Sequence, residues 1–318
     1  MFVCGIEYEL LETKEKITIA DSFIKGGNKI GDGHGEAKLY VGQKTDNFTL
    51  DFFDLTYNTT RPIKCFITRQ DLLQYLYDTA DEYKFPTQNY ISKSDMPNLW
   101  QNRLDKISLL PDLLEFELFY QNEIQGPRIY LNSQNRNDIN YTLIREISLP
   151  NLSFLSCLKL KRLSDNQLFF YFRIFADLPT TENKILENST EIAQIKKIRI
   201  GQAKYRELLL KECPFCPITM VNYDRLLVAS HIKPYAKCNE QEQYDPKNGL
   251  MLTPTIDKLF DQGFISFNEN KKILLSPWIS KHTFNCLNLA PNQIYQNLPF
   301  DDKRLFYMEY HNKSVFKA

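Results

Sequence analysis

The chain has 318 residues, 43% hydrophobic and 13% aromatic, enough for two domains of ordinary size with their own cores and too apolar for a disordered polymer. Lysine plus arginine balance aspartate plus glutamate at 39 each, so any polyanion site must be a local patch. No apolar run approaches the roughly 18 to 20 residues of a membrane span, the start lacks a signal pattern, and seven scattered cysteines do not read as a disulfide framework. The expectation is a cytoplasmic protein with reduced thiols and no membrane partner.

From the N-terminus to about residue 180 the chain mixes strand and helix patterns without an internal repeat. Five of the eleven glycines lie in "KGGNKIGDGHGEAK" (Lys25 to Lys38). This run lacks the Gly-Lys-Ser/Thr ending of a phosphate loop and reads as a flexible hairpin or binding loop containing His34. "RQDLLQYLYDTADEYK" spaces Leu72, Leu73, Leu76 and Tyr77 as a helix does. "LSFLSCLKLKRL" and "NQLFFYFRIF", rich in β-formers and separated by the polar "SDNQ", predict a hairpin. The polar "DLPTTENKILENST" (Asp177 to Thr190) breaks this pattern and reads as a linker. The expected class is α+β, with a mixed α/β domain of unassigned fold over 1–180 and a second domain over 190–318.

The second domain opens with a helical stretch, 191–212, in which Lys196, Lys197, Arg199, Lys204, Arg206 and Lys211 outnumber Glu207 and Glu212. Such a patch is either a solvated helical face or, with Lys233 further along, a contact to a nucleic-acid backbone. "CPITMV" and "RLLVAS" predict a β-hairpin that ends at Ser230, leaving His231 at a strand terminus. A polar loop follows and closes at Asn248-Gly249. "TPTIDKLFDQG" then predicts a helix with Thr253 as cap, Pro254 at its first position and Gly263 at its stop. Asp257 and Asp261, one turn apart, can share a divalent cation, and oxygen donors favour Mg²⁺ or Mn²⁺ over zinc. A neutral imidazole facing that ion can take a proton from water. The combination is suited to phosphodiester hydrolysis. Helix-dipole stabilisation accounts for Asp257 in the first turn, but not for Asp261 near the other end.

The run "IRIGQAKYRELLLKE…CPIT…LLVASHIKPY…DPKNGLMLTPTIDKLFDQGFISF" resembles the HNH endonuclease family, particularly its branch common in bacterial restriction enzymes, over roughly Arg199 to Ser276. The resemblance implies a C-terminal ββα-metal fold with His231 as general base, Asn248 holding the loop and orienting that histidine, and Asp261 as a metal ligand. Asp257 stands where the family's final histidine usually appears, and aspartate can serve Mg²⁺ in its place. Ser230 stands where many relatives place a ligand, and is a third, poorer candidate. Cys213 and Cys216 form a Cys-x-x-Cys pair without a second such pair, so a structural Zn²⁺ is not expected.

An HNH module leaves little surface for choosing a sequence, so residues 1–180 are the expected target-recognition part, with Arg162 and Arg173 reaching phosphates or bases. The whole then reads as a bacterial type II restriction endonuclease acting on double-stranded DNA. A homodimer and a cognate DNA methyltransferase are its expected partners. Two other readings are a nuclease that cuts only modified DNA and a DNA-binding regulator with a decayed nuclease module.

Overall fold

Alternation of buried and exposed residues along Ile6–Thr18 builds the longest strand among the described residues, and its partners are drawn from distant sequence. The computed structural model describes residues 1–31, 36–56, 58–134, 138–177, 201–202 and 204–318. They divide into two compact units, 1–178 and 179–318.

In the first unit the elements run β1 (Phe2–Val3), β2 (Ile6–Thr18), β3 (Leu39–Gln43), α1 (Asn47–Phe52), β4 (Ile63–Thr68), α2 (Arg69–Asp78), α3 (Ala80–Lys84) and α4 (Met96–Ser108). They continue with β5 (Leu113–Tyr120), β6 (Arg128–Asn132), α5 (Ile139–Ile147), β7 (Ser153–Arg162) and β8 (Leu168–Ala176). The eight strands form one sheet in the order β1-β2-β7-β8-β4-β5-β6-β3, antiparallel except where β4 meets β8. The β7–β8 hairpin has the register Ser153↔Ala176 through Lys161↔Leu168, and Asn166 takes the left-handed conformation at its turn. Cys65, Ile67, Leu114, Phe116, Cys157 and Phe172 face a core shared with Leu72, Tyr75 and Leu76 of α2. Tyr77, expected on that face, is exposed, and Tyr75 takes its place because α2 begins at Arg69 under a Thr68 cap. Within the glycine-rich run, Asn28 is buried and donates to the Tyr83 hydroxyl and the carbonyls of Glu146 and Ser148. Residues 32–35, His34 among them, lie outside the described residues.

The second unit runs α6 (a helix over 204–212), β9 (Val228–His231), β10 (Gly249–Leu252), α7 (Pro254–Asp261), β11 (Ile265–Phe267), β12 (Ile273–Leu275), α8 (Lys281–Cys286) and α9 (Asp302–Ser314). Here the expected hairpin needs correction. "CPITMV" is not a strand: the Met220 amide donates to the Cys216 carbonyl at 2.8 Å and the Cys216 amide to Val221 at 2.9 Å. The segment therefore closes on itself as a turn, with Met220 in the left-handed region. The partner of β9 is instead β10, in the register His231↔Gly249 to Val228↔Leu252. Strand, strand and helix do follow one another, as β9, β10 and α7. No helix among the described residues is long and apolar enough to cross a membrane.

The last helix holds this arrangement. The His311 ring on α9 stacks on Phe260 of α7 with centroids 4.0 Å apart, and its Nε2 meets the Phe260 carbonyl at 3.0 Å. Burial pushes the imidazole down to about 4, so it is neutral in the folded state. An unfolded histidine titrates near 6.5. The folded value is the lower one, so the stability is complete above pH 6.5 and falls as the unfolded chain alone takes up the proton on the way to about pH 4. Urea unfolding of this unit is expected to be about 2 kcal/mol weaker at pH 5 than at pH 7 from this group alone. His311→Gln, which keeps a donor but does not titrate, is expected to remove that share of the slope; an unchanged slope would show that other groups set it.

Candidate active site

His231 ends β9 and sits between two aromatic rings. Tyr205 of α6 stacks on its imidazole at 4.4 Å and 12°, and Tyr235 meets it edge-on at 5.6 Å and 78°. Its Nε2 lies 3.0 Å from the backbone carbonyl of Gln243. A carbonyl oxygen only accepts, so in the neutral ring Nε2 carries the proton and Nδ1 keeps its lone pair. Burial pulls the imidazole below its ordinary value, against the Gln243 carbonyl and the Asp261 carboxylate. The ring is thus neutral at neutral pH, with one tautomer selected.

Asn248 is fully buried and does not touch the imidazole. Its Oδ1 accepts from the Lys233 amide at 2.8 Å, while its Nδ2 donates to the carbonyls of Lys233 and Glu242 and to Cys238 Sγ, each at 3.2 Å. It therefore ties the loop 233–243 to the start of β10, and that loop carries the Gln243 carbonyl. The Lys233 ammonium donates to Glu242 at 2.7 Å and lies over the Tyr310 ring, closing the same loop. Lys233 is thus engaged internally.

Gly249 has a physical requirement that a turn does not explain. Its φ of −155° is ordinary extended backbone, but a Cβ there would fall 2.1 Å from the Tyr205 hydroxyl. The missing side chain lets Tyr205 reach the Asn248 carbonyl at 3.0 Å while lying against His231. Gly249→Ala is expected to cost about 1–3 kcal/mol through overpacking and to lower cleavage by displacing Tyr205. Thermal unfolding and nicking of plasmid DNA check the two effects; wild-type values for both would remove Tyr205 from the support of His231.

Asp261 closes α7. Its side chain is accessible at the surface, but the protein around it raises its carboxyl from the ordinary value, opposed by Lys258, Lys317, a Gln262 hydrogen bond and His231. It is close enough to His231 for each to influence the other's charge. Asp257, one turn back, is half-buried. Gly263 ends the helix at φ +69°, where a Cβ would meet the Val315 carbonyl at 2.0 Å. Ser230 is 5% exposed, and strand alternation turns it to the opposite face of β9 from His231.

Among the described residues no group of three or more His, Cys, Asp or Glu side chains converges as a metal cage. Mg²⁺ does not require one, since it is commonly held by one or two carboxylates together with water and substrate phosphate. Asp261, with Asp257 on the same helix, fits that habit. Cys213 and Cys216 are buried in the core with Leu209, Leu252 and Ile256. Cys238 is bonded to Asn248, while Cys286 and His282 pair with one another on α8 at 3.6 Å.

Of the expected DNA contacts, Lys204 is exposed, whereas Arg206 donates to the carbonyls of Asp224 and Leu227 ahead of β9. Arg173 forms an ion pair with the buried Asp71 at 3.0 Å, and Arg162 makes two hydrogen bonds to Asp165. Arg173 is thus committed to the interior of its unit. Lys196, Lys197 and Arg199 lie outside the described residues. Tyr205 carries only a weak sequence signal, its position four before Leu209, which marks a buried helix face. The Gln243 carbonyl, a main-chain group, has no side-chain signature at all.

Residues 216–268 match the family model described as HNH endonuclease. The stretch contains His231, Asn248, Asp257 and Asp261, and it spans β9, β10 and α7. This part of the chain is an HNH endonuclease domain, placed C-terminally in an α+β protein, and the chain is a nuclease with DNA as its substrate class. HNH endonucleases generally use divalent metal ions. No curated protein matches the chain.

Proposed function

We propose that this nuclease is a site-specific type II restriction endonuclease that uses Mg²⁺, with Mn²⁺ able to replace it, and that His231 is its general base. The observation that carries the reading is the neutral, tautomer-selected imidazole of His231 beside the Asp261 carboxylate. Nδ1 accepts a proton from the attacking water as its oxygen bonds to phosphorus and the P–O bond to the leaving oxygen breaks, that oxygen taking a proton from solvent, and the Nε2–H bond to Gln243 holds the ring while charge develops on it. Tyr205 fixes the ring plane. Asn248 is a positioning residue, acting through the loop it pins. A divalent cation held by Asp261 and Asp257 would supply charge stabilisation at the phosphate and leaving oxygen.

The first unit is assigned target recognition, since the HNH domain has little surface for it, and Lys204 a phosphate contact. Cutting both strands of a symmetric site favours a homodimer with two active sites. Such an enzyme needs a cognate methyltransferase in the same bacterial cytoplasm. Digestion of a mixed methylated and unmethylated plasmid library with Mg²⁺, followed by sequencing of fragment ends, tests the reading. A short shared sequence at the ends of unmethylated fragments is expected. Random ends would discard site specificity, and cutting confined to methylated plasmids would favour a modification-dependent nuclease.

A further inference from the structure

The first unit contains a cavity of about 610 Å³ lined by β4, β5, the β7–β8 hairpin and the start of α5, within the size range of small-molecule pockets. Register sets its floor. β4 pairs Lys64 with Glu117 and Phe66 with Glu115, and its parallel pairing with β8 brings Phe169 beside Lys64. Glu115 and Glu117, two apart on β5, share this face, and Gln167, Arg162 and Asp138 stand in the wall around them. The Arg162 guanidinium lies 4.7 Å from the Phe169 ring centre while its donors are taken up by Asp165 and Gln167.

Two features are unexplained by the fold. The carboxylates of Glu115 and Glu117 have no salt bridge among the described residues, although they stand side by side in the lining. Behind Phe169, the Tyr8 hydroxyl is buried and finds no hydrogen-bond partner among the described residues. Tyr8 is not itself in the lining; its charged neighbours include Arg162 and Glu115 of the cavity wall, and Asp165. A buried polar atom of this kind calls for a partner.

We propose that this cavity is a nucleobase site that recognises exocyclic amino groups through Glu115 and Glu117, with Phe169 and the guanidinium plane of Arg162 as its apolar and stacking surface. The lining sets the carboxylates of Glu115, Glu117 and Asp138 against Lys64 and an Arg162 already paired with Asp165, so its charge repels a phosphate and the DNA backbone is not what enters. The carboxylates accept hydrogen bonds from the amino edges of cytosine, adenine and guanine, whereas thymine has no amino group and places carbonyl oxygens on either side of its only ring N–H. The base can be presented by DNA, extruded from the stack, or by a free nucleoside. The DNA source rests on the reading of the first unit as the target-recognition part.

The test uses the intact chain. Ligand-observed NMR with the four deoxynucleosides is expected to show binding of deoxycytidine, deoxyadenosine and deoxyguanosine, and roughly tenfold weaker binding of thymidine. Glu115→Gln and Glu117→Gln are each expected to weaken the first three while thermal unfolding of the intact chain stays at the wild-type temperature. In a second arm, a duplex with 2-aminopurine opposite an abasic site is mixed with the protein in EDTA. A fluorescence rise that disappears in Glu117→Gln assigns the base to DNA. Nucleoside binding with no fluorescence change keeps the site but makes a free nucleoside its ligand. Equal binding of thymidine, binding indifferent to both substitutions, or no response in either arm while site-specific cleavage persists would overturn the proposal and leave the restriction reading intact. Random cleavage ends together with glutamate-dependent nucleoside binding would do the reverse.

Discussion

His231→Ala is expected to lower DNA cleavage by roughly 10²–10⁴-fold, the range associated with loss of a positioned general base. Equilibrium binding of DNA should change little, because the imidazole is held between Tyr205 and Tyr235 with Nε2 committed to a backbone carbonyl. The substitution leaves the β9–β10 ladder in place, since His231 pairs with Gly249 through main-chain atoms. Single-turnover cleavage with saturating Mg²⁺, beside a gel-shift measurement in EDTA, separates the two quantities. Wild-type cleavage by the variant would remove His231 from the chemistry. Loss of binding in parallel with cleavage would instead make it a DNA contact.

The second large effect is expected at Arg304, a residue far from the motif. The residue is 1% exposed, and its guanidinium donates to Glu212 at 2.8 Å and to the carbonyls of Pro299, Pro246 and Gly249 at 2.9, 3.2 and 3.3 Å. One side chain on α9 thereby joins α6, the loop before β10 and the first residue of β10. Arg304→Met keeps much of the stem but leaves these acceptors without their donor, and a loss of about 3–5 kcal/mol is expected for breaking such a buried group. The chain has two tryptophans, Trp100 and Trp278. In a Trp100→Phe background, Trp278 fluorescence in urea reports the second unit alone. A shift below about 1 kcal/mol, the size of an exposed ion pair, would show that Arg304 is not the clamp described.

Much of the candidate site could be read along the chain because its signals are local. His231 between an apolar strand and Pro234, the Pro254 start and Gly263 stop of α7, and the one-turn spacing of Asp257 and Asp261 are each set by backbone conformation over a few residues. The β7–β8 hairpin was legible for the same reason, being two β-rich runs about a short polar turn. Strand pairing in the HNH domain was not. "CPITMV" has the composition of a strand, yet it folds back through its own hydrogen bonds, and β9 pairs with Gly249–Leu252 across a loop of 17 residues (232–248).

The α+β class, the strand end at His231 and the helix that carries Asp257 and Asp261 thus follow from residue type and short-range periodicity, whereas Asn248 was singled out by the resemblance to the HNH family. Tertiary structure alone decided that Gln243 selects the tautomer of His231, that Gly249 is small to admit Tyr205, and that Arg304 and His311 hold α9 against the site. It also decided that Arg173, charged and on a strand, faces Asp71 inside the unit. The division is physical: periodicity states which face a residue occupies, whereas its partner depends on which distant backbone or side chain packing brings to that face.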